Sequence, residues 1–254
     1  TVFLKTGDQA ETEGTLVLDN GGSTPSVGDS SKFSTPYTEI GPNVTDTEVG
    51  TVIIRGKARF TVCDNATLTV NGSWTNESTF VQSGTSIVRF AGSKQTEIAG
   101  KSTFTDLRCE APDKVLSFAT GAANGVTIAN GGACTFAGAA EHPLVLVPSV
   151  ANETWAFTLT APDASATVQY VAVSNSDAHA GLTVATAYCQ DKGGNLNWSF
   201  AHAAEDGDPL DVLVIDFFHW TKLGDWKFDE RYFPGNIVDL VNERGITDLL
   251  IINN

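Results

Sequence analysis

The chain has 254 residues, with 15 Lys and Arg against 30 Asp and Glu, hence a net charge of −15 and a sequence pI near 4.5. So acidic a surface repels a phosphate backbone, which excludes nucleic-acid binding as an expectation, and no apolar run is long enough for a membrane-spanning helix. With 24 Gly, abundant Thr, Ser, Val and Asn and only 18% charged residues, the composition is that of a β-rich, turn-rich secreted protein rather than a helical cytosolic one.

The first residues, TVFLKTGDQ, lack the charged-then-apolar pattern of a signal peptide, and there is no Met; a mature or trimmed chain is expected. Residues 1–49 read as an N-terminal strand followed by a Ser/Thr/Gly/Pro-rich stretch over 20–49, expected to form a long loop. From 50 to 200 the chain falls into short alternating runs punctuated by Gly or Asn, among them TVIIRG, ATLTVNG, SIVRFAG and TVQYVAVS. Each run predicts a strand. Ile53, Val70, Ile87, Phe104, Val126 and Leu144 recur at steps near 17 to 22 and are the expected inward positions of a loose repeat. Such repetition predicts a β-solenoid, in which each coil buries its apolar face only against its neighbours. The alternative is an antiparallel β-sandwich, whose short strands and frequent turns give a similar pattern.

Cys63, Cys109, Cys134 and Cys189 have no zinc-like spacing. They sit in or beside short apolar runs and are expected as buried free thiols, with two disulfides as the alternative. Six N-x-S/T triplets begin at Asn43, Asn65, Asn71, Asn76, Asn152 and Asn197; they read as glycan acceptors in a eukaryotic secretory host and as turn chemistry in a bacterium. Asp177 and His179 are two residues apart in SNSDAHAG, which suits an acid–base pair on an extended segment, although an exposed turn pair is the commoner origin of such a pattern. Arg55, Lys57 and Arg59 alternate in IIRGKARF and would form a basic row for an anionic glycan, or simply a solvated strand face.

The phrases LTVNGSWTNESTFVQSGTSIVRFAGSKQTEIAGKSTFTDL (68–107) and VQYVAVSNSDAHAGLTVATAYCQDKGGNLNWSF (168–200) resemble secreted bacterial right-handed parallel β-helix proteins of the adhesin and surface-stalk type. The resemblance covers about residues 68–200 and implies an elongated extracellular spacer or adhesive rod. β-helix folds also carry polysaccharide lyases and hydrolases, but no convincing cluster of carboxylates with a basic partner is found here.

Residues 201–209 (AHAAEDGDP) read as a linker, beyond which the composition changes: residues 204–254 hold 11 acids and 4 bases, a far denser charge than the residues before them. Residues 210–218, LDVLVIDFF, predict a strand buried on both faces. Ile237, Leu240 and Val241 follow a helical step that Gly245 caps, and residues 248–252 predict a second strand, completing a β-α-β unit. VLVIDFFHWTKLGDWKFDERYFPGNIVDLVNERGI (212–246) resembles the early barrel segment of family 31 glycoside hydrolases. The resemblance implies a sugar subsite lined by Asp216, with Trp220 and Trp226 beside it. That family's nucleophile and general acid lie on later strands, so no catalytic residue, metal or cofactor is expected in this chain. Two lone strands need cover, and docking near Trp198 or on another copy is expected. The leading functional expectation is a non-catalytic extracellular or cell-surface structural or adhesive module that meets glycans or copies of itself. The alternatives are a fragment or accessory region of a carbohydrate-active enzyme and a filament subunit that assembles by strand addition.

Overall fold

The fold is given by a computed structural model that describes residues 2–23 and 38–201, together with the backbone of strands Val212–Asp216 and Asp248–Ile252. Two compact units divide the chain, Thr1–His202 and Ala203–Asn254.

The first unit is mainly β, with one short 3-10 turn at Glu11–Glu13. Its strands lie in parallel ladders, and the sole antiparallel pair among the described strands joins Val2–Leu4 to Thr15–Asp19. One ladder runs from Thr15–Asp19 through Thr51–Arg55, Trp74–Asn76, the start of Thr96–Cys109, Val115–Phe118, Leu144–Pro148 and Val171–Val173 to Gln190–Asp191. A second passes through Thr47–Val49, Thr67–Val70, Ile87–Phe90, the end of Thr96–Cys109, the end of Gly125–Ala137 and Ser165–Gln169 to Val184–Ala187 and Trp198–Ala201. A third begins with Thr38–Ile40, Arg59–Val62 and Thr79–Gln82. The middle of Thr96–Cys109, the start of Gly125–Ala137, Trp155–Leu159 and Ser176–Asp177 form a further parallel run. The pairing that an antiparallel sandwich requires is therefore not what these strands adopt. Pairing also begins before residue 50, because Thr38–Ile40 and Thr47–Val49 are strands within the stretch expected as loop.

The sequence offset between paired residues varies widely. Ala185 faces Ser199, while Thr15 faces Thr51. Strands and connections of unequal length explain why the spacing is loose in sequence.

Pleating sends alternate side chains to opposite faces, and inward positions stack residue on residue. Leu68, Val88, Leu107 and Cys134 follow one another in register, each no more than 1% exposed. Phe104, Ile128 and Leu159 do the same. Burying each large apolar side chain stabilises the fold by about 1.5 to 3 kcal/mol, so the stacked columns form one continuous core. Aromatic rings thicken it: Trp74 meets Phe80, Phe90 and Phe104, and Phe118 stacks on Trp155 with centroids 3.9 Å apart. Of the six expected inward residues, Val70, Phe104, Val126 and Leu144 are buried. Ile53 and Ile87 are only half-buried and point outward between buried neighbours, Val52 and Ile54 in one case, Ser86 and Val88 in the other. A spacing fixed only to the nearest residue chooses the wrong face when the side-chain period is two.

Turn chemistry accounts for many of the asparagines. Asn43, Asn65, Asn152 and Asn197 take positive φ, a conformation asparagine tolerates because its amide bonds locally. Asn76 is 5% exposed, and its amide donates to Lys101 O and Ser102 Oγ. Its triplet is thus a packing feature. All four cysteines are free thiols; Cys109, Cys134 and Cys189 are buried as expected, whereas Cys63 is only half-buried.

In the second unit Val212–Asp216 pairs in parallel with Asp248–Ile252, the arrangement a β-α-β connection produces. The expected helix lies outside the described residues.

Candidate functional site

Outward positions in a parallel ladder form rows across the strands, and two adjacent rows build a groove of about 520 Å³ on the first unit. One row consists of Lys101, Gly125, Ala156 and Asp177. Lys101 faces Gly125 and Ala156 faces Asp177, while Gly125 and Ala156 sit in matching positions between them. Small residues in the middle leave the floor low, and a cation and a carboxylate stand at its two ends. With strands 4.7–4.9 Å apart, three steps separate those ends by about 14 Å. The neighbouring row is Thr103, Thr127 and Thr158, aligned by direct pairing. Their hydroxyls form no hydrogen bond with a described side chain or turn, so they are left to solvent or a ligand.

The turns bearing Gly121, Ala122, Asn124 and Thr154 wall one side. Asn124 is held in place because its Oδ1 accepts from the Gly100 N–H at 2.7 Å. The groove thus offers hydroxyls, one ammonium and one carboxylate on a rigid sheet, a set suited to hydrogen-bonding a polar ligand. Asp177 is the only carboxylate among its lining residues. Retaining glycosidases place two carboxyl groups about 5 to 5.5 Å apart, so this lining lacks the pair that chemistry needs.

Asp177 also meets its neighbour His179. Its Oδ1 accepts from the His179 backbone N–H at 3.0 Å and lies 3.3 Å from His179 Nδ1, an Asx-type turn in which the imidazole side chain is 69% exposed. The basic row does not form as a strand face. Arg55 ends one strand and Arg59 begins the next, while Lys57 sits in the intervening turn at φ +61°. Arg55 is paired with Asp19 at 2.8 Å. Asp216 ends the strand Val212–Asp216, opposite Ile252; Trp220 and Trp226 lie outside the described residues. Among the described residues no group of three His, Cys, Asp or Glu could hold a metal ion, and no helix is long and apolar enough to cross a membrane.

Lys114 escapes sequence reading altogether. It is 1% exposed, and its ammonium donates to Ala91 O, Gly92 O and Lys94 O at 2.7, 3.2 and 2.8 Å. Burial lowers its pKa from the ordinary lysine value, and the three carbonyls tie the 91–94 turn to the next layer. Burial pushes the Cys109 thiol up to about 12 and raises Cys134 further, which makes both poor nucleophiles. Compared with protein-family models, with curated proteins and with solved structures, the chain gives no match.

Proposed function

We propose that the chain is a non-catalytic structural or adhesive module whose residues 50–200 build a right-handed parallel β-helix, working outside the cell or at its surface. The observation that carries this reading is the register of the rows: inward positions stack into one apolar core while outward positions align small polar side chains, as in Thr103, Thr127 and Thr158. In a β-helix each strand covers its neighbour's open edge, so the sheet extends as a stiff rod without needing a second layer. The groove then serves as the adhesive surface, with neutral or weakly charged glycans the best chemical match to its hydroxyl row.

Affinity electrophoresis through gels containing soluble polysaccharides tests the adhesive part. The wild type is expected to be retarded by at least one polysaccharide, and the double variant Thr127→Val/Thr158→Val to be retarded less at unchanged circular dichroism. Equal migration of both proteins in every gel would overturn it.

A second reading, an accessory region of a carbohydrate-active enzyme, draws on the parallel pair Val212–Asp216 and Asp248–Ile252. Under it Asp216, Trp220 and Trp226 belong to a sugar subsite. Binding of methyl α-glucoside that Asp216→Asn weakens and Thr127→Val/Thr158→Val leaves unchanged would favour this reading over the first.

A further inference from the structure

Arg89 lies in strand Ile87–Phe90 and faces outward between buried Val88 and Phe90. It makes no hydrogen bond or ion pair with a described residue, and its Nε is fully buried without a partner. Directly opposite, on the neighbouring parallel strand, stands Arg108. Like charges facing each other across a ladder are destabilising, and only Arg108 has its charge answered: Asp106 Oδ1 accepts from its Nε at 2.9 Å and Oδ2 from its Nη2 at 2.6 Å. That fork occupies Asp106 and leaves Arg108 Nη1 and the whole Arg89 guanidinium over. The same row continues as Thr69 on one side and Thr135 on the other, both half-exposed, with hydroxyls that no described residue engages.

We propose that Arg89 and Arg108, flanked by Thr69 and Thr135, form an oxyanion seat that takes a single carboxylate, as borne by an acidic sugar. A planar guanidinium can also present its two Nη–H groups side by side to a carboxylate; the buried Arg89 Nε is closed to a ligand, so the outer Nη groups of Arg89, with Nη1 of Arg108, are the donors that an oxyanion would meet. Adjacent strands are about 4.8 Å apart, close enough for one carboxylate to meet both arginines. The net charge of −15 selects a sparsely charged ligand, because a dense polyanion would be repelled by the remaining surface. The seat is separate from the groove and stands whether or not the groove binds neutral glycans.

The test is ¹⁵N–¹H NMR of the arginine Nε groups during titration of the intact chain with glucuronate, inorganic sulfate and methyl glucoside. Glucuronate is expected to shift Arg89 Nε saturably, Arg89→Gln to weaken glucuronate binding at least tenfold, and Arg89→Lys to restore only part of it. The Thr127→Val/Thr158→Val variant should bind glucuronate as the wild type does, which separates this seat from the groove. A sulfate shift matching that of glucuronate would support the seat as one for oxyanions of any source. An equal response to methyl glucoside, or no saturable shift with either anion in a protein whose circular dichroism is native, would overturn it.

Discussion

Gly100 and Gly131 test the parallel register because they share a backbone conformation and differ in surroundings. Both take positive φ, +80° and +71°, within the long strands Thr96–Cys109 and Gly125–Ala137. A Cβ at Gly131 would meet nothing within 4 Å, whereas a Cβ at Gly100 would lie 1.8 Å from Asn76 O on the adjoining strand. In Gly131→Ala the cost is conformational alone: about 1 to 2 kcal/mol for a left-handed alanine, less about 0.4 to 1 kcal/mol returned by the stiffer unfolded chain. Gly100→Ala carries the same terms plus a backbone collision that is relieved only by moving two paired strands apart by more than an ångström. Overpacking of that kind adds about 1 to 3 kcal/mol. The expected losses are therefore about 1 kcal/mol for Gly131→Ala and about 2 to 4 kcal/mol for Gly100→Ala, read from urea unfolding with matched m-values. Equal losses within about 0.5 kcal/mol would mean that Gly100 does not sit against Asn76, and the register assigned to these strands would be wrong.

Three further outcomes follow from particular residues. With a pKa of about 12, Cys109 is about one part in ten thousand thiolate at pH 8, so a thiol reagent should label at most half-buried Cys63 in the native protein and all four cysteines after unfolding without reductant; fewer than four would reveal a disulfide. Thr85 N–H and Oγ–H hold the Asp64 carboxyl below its usual 3.8, and a lowered folded pKa contributes stability that is present above the unfolded value and lost as pH falls through the folded one. The thermal midpoint of Asp64→Asn should thus trail the wild type at pH 6, with the gap narrowing as pH falls below the usual 3.8, and a gap that stays constant would contradict the assignment. Lys114→Met leaves three turn carbonyls without their donor and should cost about 1 to 3 kcal/mol, with faster amide exchange localised to the 91–94 turn; unchanged exchange there would show that the ammonium does not secure it.

The strand character of residues 50–200 was legible because alternation and turn residues are local signals. Four of six inward positions were legible for the same reason. Ile53 and Ile87 were misread because which side of the pleat faces inward is decided by the pairing partner, and a repeat with unequal turns does not specify the partner to one residue. The groove was invisible for a related cause: Lys101, Gly125, Ala156 and Asp177 form a row only once the strands are paired, and their separations in sequence of 24, 31 and 21 residues share no period. Arg89 and Arg108 look like ordinary strand charges until they are set side by side. The Asp177–His179 pair was legible by proximity in sequence, and the same proximity closes it into an Asx-type turn. Lys114 gave no signal at all, since a lysine in APDKVLSF reads as exposed until a neighbouring layer supplies its carbonyls.

In parallel register the outward residues of successive strands form one row, and distances along that row report the register. Glu48, Thr69, Arg89, Arg108, Thr135 and Thr167 are consecutive partners. On a Cys63→Ser background, spin labels placed pairwise at cysteines replacing Glu48, Thr69, Thr135 and Thr167 can be measured by pulsed dipolar spectroscopy. At about 4.8 Å per strand, the backbone separations expected are about 19 Å for Glu48 to Thr135, about 24 Å for Glu48 to Thr167 and about 19 Å for Thr69 to Thr167. Distances that rise linearly with the number of intervening strands are the predicted result. Distances that fail to order in this way, with Thr167 no farther from Glu48 than Thr135 is, would contradict the parallel stack.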